Sequence, residues 1–280
     1  MDKPKRHHYL PVSYQKGFWD ERTRKIHFVD IESGNRAATD PKNIGLEKHL
    51  YRFATPVEGV SDTAIENPLL STLDGRFVVA LRNIRGDFSD DDRQSLAIAL
   101  AFLRFRTPTM FRSIEMQATE FFLNEIKKDP SKVAKATEFG IDLNDVTAFM
   151  ASTSDVFQVA KDFVLSVFLK SSVEFAFVLV GMGWRVYTSD TGKFITSDKP
   201  FTAVEGPGPF TSHGVRGTFI VPLSSSLCLE LGVCEQPLEF VPLSVDEVHE
   251  VNEIIAHCAD KRILSSNFDD LDLALLGCNQ

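Results

Sequence analysis

The chain has 280 residues, 43% hydrophobic and 25% charged, and a formal net charge of −9. That composition is ordinary for a globular protein, and a chain this long needs no disulfide or metal staple to bury a core. The net acidity argues against general affinity for nucleic acid.

The charge is unevenly spread. Residues 1–52 hold 11 Lys and Arg against 7 Asp and Glu, whereas residues 200–280 hold 3 against 12. The basic end can steer an anionic substrate or a phosphate backbone, and the acidic end is a candidate surface for a protein partner. The 23 Phe against 4 Tyr and 2 Trp predict an aromatic-rich core. Cys228, Cys234, Cys258 and Cys278 form no CxxC pair and no zinc-finger spacing, so reduced thiols are expected, with a Cys228–Cys234 pairing across a hairpin as the minor alternative. The N-terminus lacks an apolar leader. The most apolar stretch, Phe163 to Trp184, is interrupted by Lys170 and Glu174 and reads as a buried helix followed by a strand. The expectation is a cytoplasmic protein with no membrane span.

In chain order, residues 9–19 predict a short helix with Leu10, Tyr14 and Phe18 on one face. Lys25–Ile31 alternates like a strand, residues 32–35 turn, and Arg36–Thr39 returns as the second strand of a hairpin. Ser61-Asp62-Thr63 opens a helix running to about Ile84, with Glu66 placed for a capping box. Ser89 starts a long helix that breaks at Arg106-Thr107-Pro108, and helix resumes over 109–127. Further helical starts fall at Asp129-Pro130, Leu143-Asn144 and Ser152–Asp155.

From about residue 173 the character changes. Trp184–Tyr187, Phe194–Thr196, Phe219–Val221 and Leu227–Leu231 predict short strands, and Gly206-Pro207-Gly208-Pro209 a surface loop. Ser244 caps a helix to about Asp260, and Arg262–Leu264 forms a final strand. The whole predicts an α+β fold: a helical middle with a small, mostly antiparallel sheet from the C-terminal third, which the N-terminal hairpin could join. Residues 1–266 form one domain, and 267–280 a tail whose leucines could dock.

Several landmarks follow in order: Arg6-His7-His8-Tyr9-Leu10-Pro11, then Tyr14 and Phe18, Pro41-Lys42-Asn43, Glu47, Leu50-Tyr51, Asp62 and Ile65-Glu66. After them come Arg104, Arg106-Thr107-Pro108, Phe194-Ile195-Thr196-Ser197-Asp198-Lys199-Pro200, Pro222-Leu223-Ser224, Asn252 and Arg262. In these the chain resembles the bacterial family catalogued as domain of unknown function 4238, over roughly residues 5–266. The resemblance implies a single domain and carries no catalytic residue.

The chemistry therefore rests on residue types. His7 and His8 can ligate a metal or handle protons near neutral pH. As neighbours they point in different directions, so one of them enters any site. The opening resembles the His-His of HNH nucleases, but the downstream Asn and His on a helix are missing. Glu66 and Asp74 lie eight residues apart on one expected helix, about 80° around it. With a His they could hold Mg²⁺ or Mn²⁺. Arg104 and Arg106 sit in apolar surroundings, where an isolated charge is costly; either could grip an anion bidentately or form a structural bridge. Asp198 ends a strand, placed for a site or for an Asx turn.

No P-loop, Gly-x-Gly-x-x-Gly or Gly-x-Ser-x-Gly motif is present. Two readings follow. In one, His7 or His8, Glu66, Asp74 and Asp198 converge on a divalent metal and Arg104 or Arg106 holds the substrate of a hydrolase, with His8, Glu66, Arg104 and Asp198 as the catalytic set and a phosphodiester as the natural target. In the other, the same groups form a polar network inside a non-enzymatic interaction module. Burial separates them: a cleft containing His and carboxylates favours the first, a closed network the second.

Overall fold

The computed structural model describes residues 6–53, 61, 64–153, 159–207, 216–232 and 238–277. Within this range the architecture is α+β, with helices dominating the middle and strands the two ends.

The chain opens with β1 (Arg6–His8), helix α1 (Val12–Gln15) and a 3₁₀ turn (Lys16–Phe18). Leu10, Tyr14 and Phe18 are all buried, as their four-residue spacing requires. The expected hairpin is β2 (Ile26–Asp30) with β3 (Arg36–Thr39), turning at Gly34 in the left-handed region at φ 70°. A short strand, β4 (Leu46–Lys48), pairs antiparallel with β1.

The helix expected from Ser61 to Ile84 is instead two pieces. A π-helical turn (Ile65–Leu70) precedes α2 (Ser71–Asn83), and Asn67 between them is extended, at φ −140° and ψ 114°. Pro68 is the reason: proline's ring disfavours helical backbone in the residue before it. Asp62 and Thr63, part of the expected helix start, lie outside the described residues. Glu66 caps nothing.

Elsewhere the start signals are read as expected. Ser89 and Asp92 form a capping box for α3 (Asp90–Phe105), and Ser244 and Glu247 do so for α8 (Val245–His257). Thr107 caps α4 (Pro108–Lys127), with Pro108 at its first helical position. After α5 (Pro130–Glu138) and α6 (Val146–Thr153), helix α7 (Lys161–Gly181) crosses behind α3. Ser152 thus lies inside α6, and Ser154–Asp155 fall outside the described residues.

The strands of the C-terminal part are β5 (Gly183–Thr188), β6 (Thr196–Ser197), β7 (Thr202–Pro207), β8 (Arg216–Ser224), β9 (Leu227–Gly232), β10 (Leu238–Pro242) and β11 (Arg262–Ser265). Of the expected loop, Gly206 and Pro207 belong to β7, and Gly208 and Pro209 lie outside the described residues. One sheet runs β10-β5-β9-β8-β7, antiparallel except for the β10–β5 pair. A second, β3-β2-β11-β6, joins the N-terminal hairpin to the C-terminal strand.

Alternation divides the larger sheet. Trp184, Val186, Val221, Leu229 and Leu231 pack toward α2, α3 and α7, while Tyr187, Ile220 and Cys228 pack toward α8. A third apolar cluster, with Leu50, Tyr51, Leu73, Phe102, Phe111 and Phe168, lies under β1 and β4. The segment read as a tail carries α9 (Phe268–Gly277), which buries Leu271 and Ala274.

Helix α7 differs from the expected buried helix. Only 33% of its most apolar window is buried, although by length and composition it could cross a membrane. Phe163, Val173, Phe177 and Val178 face outward. An apolar run without clear periodicity cannot distinguish a helix covered all round from one covered on one face.

Candidate functional site

Pairing of β1 with β4 sets His7 opposite Glu47 and His8 opposite Leu46. Strand alternation then points the two imidazoles to opposite sides. His7 is fully buried, whereas His8 stays near the surface, its Nε2 3.2 Å from the Lys42 carbonyl. Burial is the main cause that lowers the His8 pKa, and the Arg106 charge adds to it.

His7 sits in a connected set of polar groups. Its Nδ1 accepts from the Tyr51 backbone N–H at 2.9 Å, which leaves Nε2 as the protonated nitrogen of the neutral ring. That nitrogen lies 3.1 Å from Glu66 Oε2. The Tyr51 ring stacks on His7 with centroids 5.7 Å apart, and its hydroxyl donates to the Arg106 carbonyl at 2.8 Å. The Arg106 guanidinium donates to Asp74 Oδ1 at 2.9 Å and to the His8 carbonyl at 2.8 Å. Burial opposes the Arg106 charge, but Asp74 and Tyr51 outweigh it, and the pKa is raised. Glu66 is held above its ordinary range, first by desolvation.

The kink at Asn67 gives this arrangement its shape. Glu66 and Asp74 do not share one continuous helix: the π turn delivers Glu66 to His7, and α2 delivers Asp74 to Arg106. Both carboxylates still flank β1.

Asp198 has other work. Its Oδ1 accepts from the backbone N–H groups of Asp260 and Lys261 at 3.1 and 3.2 Å, and its own N–H donates to the Arg262 carbonyl. It ties the end of β6 to the loop between α8 and β11, and burial raises its pKa. Among the described residues, no group of three or more His, Cys, Asp or Glu side chains is placed to hold a metal ion.

Arg104 and Arg106 part company. Two residues along a helix is about 200° around it, so Arg106 faces β1 and Arg104 faces away. The Arg104 guanidinium carbon lies 5.0, 5.1 and 5.2 Å from the ring centres of Phe175, Phe201 and Phe219. Its Nε is buried without a hydrogen bond, and desolvation lowers its pKa.

A cavity of about 250 Å³ adjoins Arg104, Thr107, Thr109, Lys199, Phe201 and Thr202. A larger one, about 440 Å³, lies between β4, α4 and α7 and is lined by Glu47, Lys48, Arg112, Glu115 and Lys161 among others. His7, His8, Glu66, Asp74 and Asp198 line neither.

Some participants escaped the sequence reading. Tyr51 was visible only as a landmark. A buried ion pair, Arg185 with Glu230 at 2.8 Å, is extended by Glu239 and by the Tyr187 hydroxyl, which donates to Glu230. Its signal was present: each of two apolar strands, β5 and β9, carries a single charge, and the signs are opposite. Cys228 is buried and unpaired, its thiol pushed up by burial, and Cys258 is also free; Cys234 and Cys278 lie outside the described residues.

Fold and site thus define an α+β protein whose N-terminal strand is fastened to its helical layer by a buried His–Tyr–Arg–carboxylate network. The chain belongs to the family described as Protein of unknown function (DUF4238), which matches residues 6–269. No curated protein and no solved structure matches it.

Proposed function

We propose that this chain is a non-enzymatic interaction module, and that His7, Glu66, Asp74 and Arg106 serve its structure. One observation carries the reading: of the groups chosen for chemistry, His7, His8, Asp74, Arg106 and Asp198 bond other side chains or the backbone, Glu66 lies against His7, and none of these lines either cavity, which Arg104 alone of the chosen groups does. A reacting site needs room for a substrate atom between its groups.

The apolar outer stripe of α7 is the partner-facing surface in this reading. Phe177 is 76% exposed with Val173 and Val178 beside it, and Phe163 lies on the same side toward the helix start, beyond the exposed Lys170–Glu174 pair. Exposed apolar patches of this kind mark interaction sites. The acidic C-terminal region is less available, because Asp272 pairs with Arg36 and Asp270 bonds Ser265 and Asn267.

The second reading, a metal-dependent hydrolase acting on a phosphodiester or another anionic substrate, keeps one supporting observation. Glu66 and Asp74 are each about a quarter exposed beside the two histidines. Metal analysis of purified protein, wild type beside the His7→Ala/His8→Ala double variant, separates the two. Equal metal content, or none in either, together with a less stable variant, supports the module. Stoichiometric Mg or Mn in the wild type that is lost in the variant sinks it.

A further inference from the structure

Arg104 poses a problem that the network around His7 does not answer. It lies in the last turn of α3, with its guanidinium set among Phe175 of α7, Phe201 ahead of β7 and Phe219 of β8. Ring faces attract a cation, but they accept none of its five N–H donors in the way an oxygen does. Among the described residues no carboxylate pairs with it.

The cavity beside Arg104 holds a second polar group without a partner. Thr202 is 1% exposed, and its hydroxyl is buried with no partner. Buried hydroxyls are normally bonded. The first turn of α4, with Thr107, Thr109 and Met110, borders the same space, but Pro108 has no N–H and the Met110 N–H is taken by the Thr107 hydroxyl, so this helix start adds little to the site. Lys199 lines the cavity too, but its Nζ lies 3.5 Å from Asp260 Oδ1. That carboxylate also accepts from the Thr109 hydroxyl. With Lys199 offset by Asp260, one uncompensated positive charge remains, that of Arg104. The other walls are the free Cys258 thiol and the apolar side chains of Leu103, Met110, Pro200, Phe201 and Ala203.

We propose that this cavity binds a small organic monocarboxylate with an apolar body, its carboxylate bidentate on Arg104 and bonded by the Thr202 hydroxyl. A planar guanidinium matches a planar carboxylate through two parallel bonds. A single free charge suits a monoanion better than a phosphate dianion. At about 250 Å³ the cavity is smaller than sites for drug-sized ligands, which limits the body to a short alkyl chain or a single ring. The site shares no residue with the His7 network, so it stands whether that network proves structural or catalytic.

Calorimetric titration of the full chain with benzoate, with hexanoate and with inorganic phosphate tests this. Saturable binding of at least one carboxylate is expected. Arg104→Met should weaken it by roughly 30-fold or more, and Thr202→Val by roughly fivefold, as expected for losing bonds to a charged group. Circular dichroism checks that each variant folds, and the near-isosteric Thr202→Val carries the test if Arg104→Met does not. The proposal is overturned if neither carboxylate binds the wild type, or if binding is unchanged in the variants that fold. It is equally overturned if phosphate binds through Arg104 and the carboxylates do not.

Discussion

Arg104 and Arg106 stand two residues apart in one helical stretch, yet their surroundings are opposite. Arg106 is almost fully buried and has an oxygen for each terminal nitrogen of its fork, Asp74 on one side and the His8 carbonyl on the other, although its Nε, like that of Arg104, is buried without a hydrogen bond. Arg104 is less buried, and it has rings where Arg106 has oxygens. Burial of a charge is tolerated where hydrogen bonds replace the lost water. By that criterion Arg106 belongs to the fold, and Arg104 is a group in want of a ligand. The same chemistry at neighbouring positions therefore implies different roles, and the partners decide which.

The largest expected effect comes from breaking the arginine that has oxygen partners. Arg106→Met leaves Asp74 and the His8 carbonyl without their donor, and removing one member of a buried pair costs about 3 kcal/mol. Urea unfolding at neutral pH would measure the loss, and a cost well under 1 kcal/mol would deny Arg106 its fastening role. His7→Ala removes the acceptor of the Tyr51 N–H and a stacked ring. The expected loss is about 2 kcal/mol, read from the same unfolding curves.

A smaller, pH-dependent effect tests Glu66. Burial holds its carboxyl above the ordinary value of 4.5, so the folded state keeps this proton more tightly than the unfolded chain. The stability it contributes is full below 4.5 and is lost as pH rises through the folded value. Thermal unfolding across mildly acid pH should show this fall in the wild type and a flatter profile in Glu66→Gln. Parallel profiles would mean that Glu66 is not desolvated by folding. The smallest effect is expected at Arg104. Without added ligand, Arg104→Met should change stability by less than about 1 kcal/mol, because a desolvated charge without an oxygen partner gives way to an apolar chain of similar length. A loss as large as that of Arg106→Met would erase the contrast between the two arginines.

Much of the fold was legible locally. Ser89 with Asp92, Ser244 with Glu247 and Thr107 with Pro108 mark helix starts through bonds made within three residues. The β2–β3 hairpin follows from alternation around a turn. The pattern around Glu66 predicts one helix to Ile84, but Pro68 breaks it at Asn67. Helix α7 is where its hydropathy predicts a helix, but hydropathy does not say which face is covered, and one face is open.

The candidate site was legible in its residues but not in its grouping. That His7 and His8 face opposite ways follows from adjacency in a strand, and that Arg104 and Arg106 diverge follows from helix geometry. Nothing local could join His7 to Tyr51, 44 positions away, or Arg106 to Asp74, 32 positions away. Nor could it bring Phe175, Phe201 and Phe219 around one guanidinium.

By itself the sequence determined the α+β class, most helix starts and the family. These depend on short-range periodicity, caps and ordered landmarks. Tertiary structure alone decided that Asp198 ties a loop, that His7 is sealed between Tyr51 and Glu66, and that Arg104 borders a cavity. Each of those outcomes is a matter of which distant groups share a low-dielectric space, and packing sets that only once the elements have met.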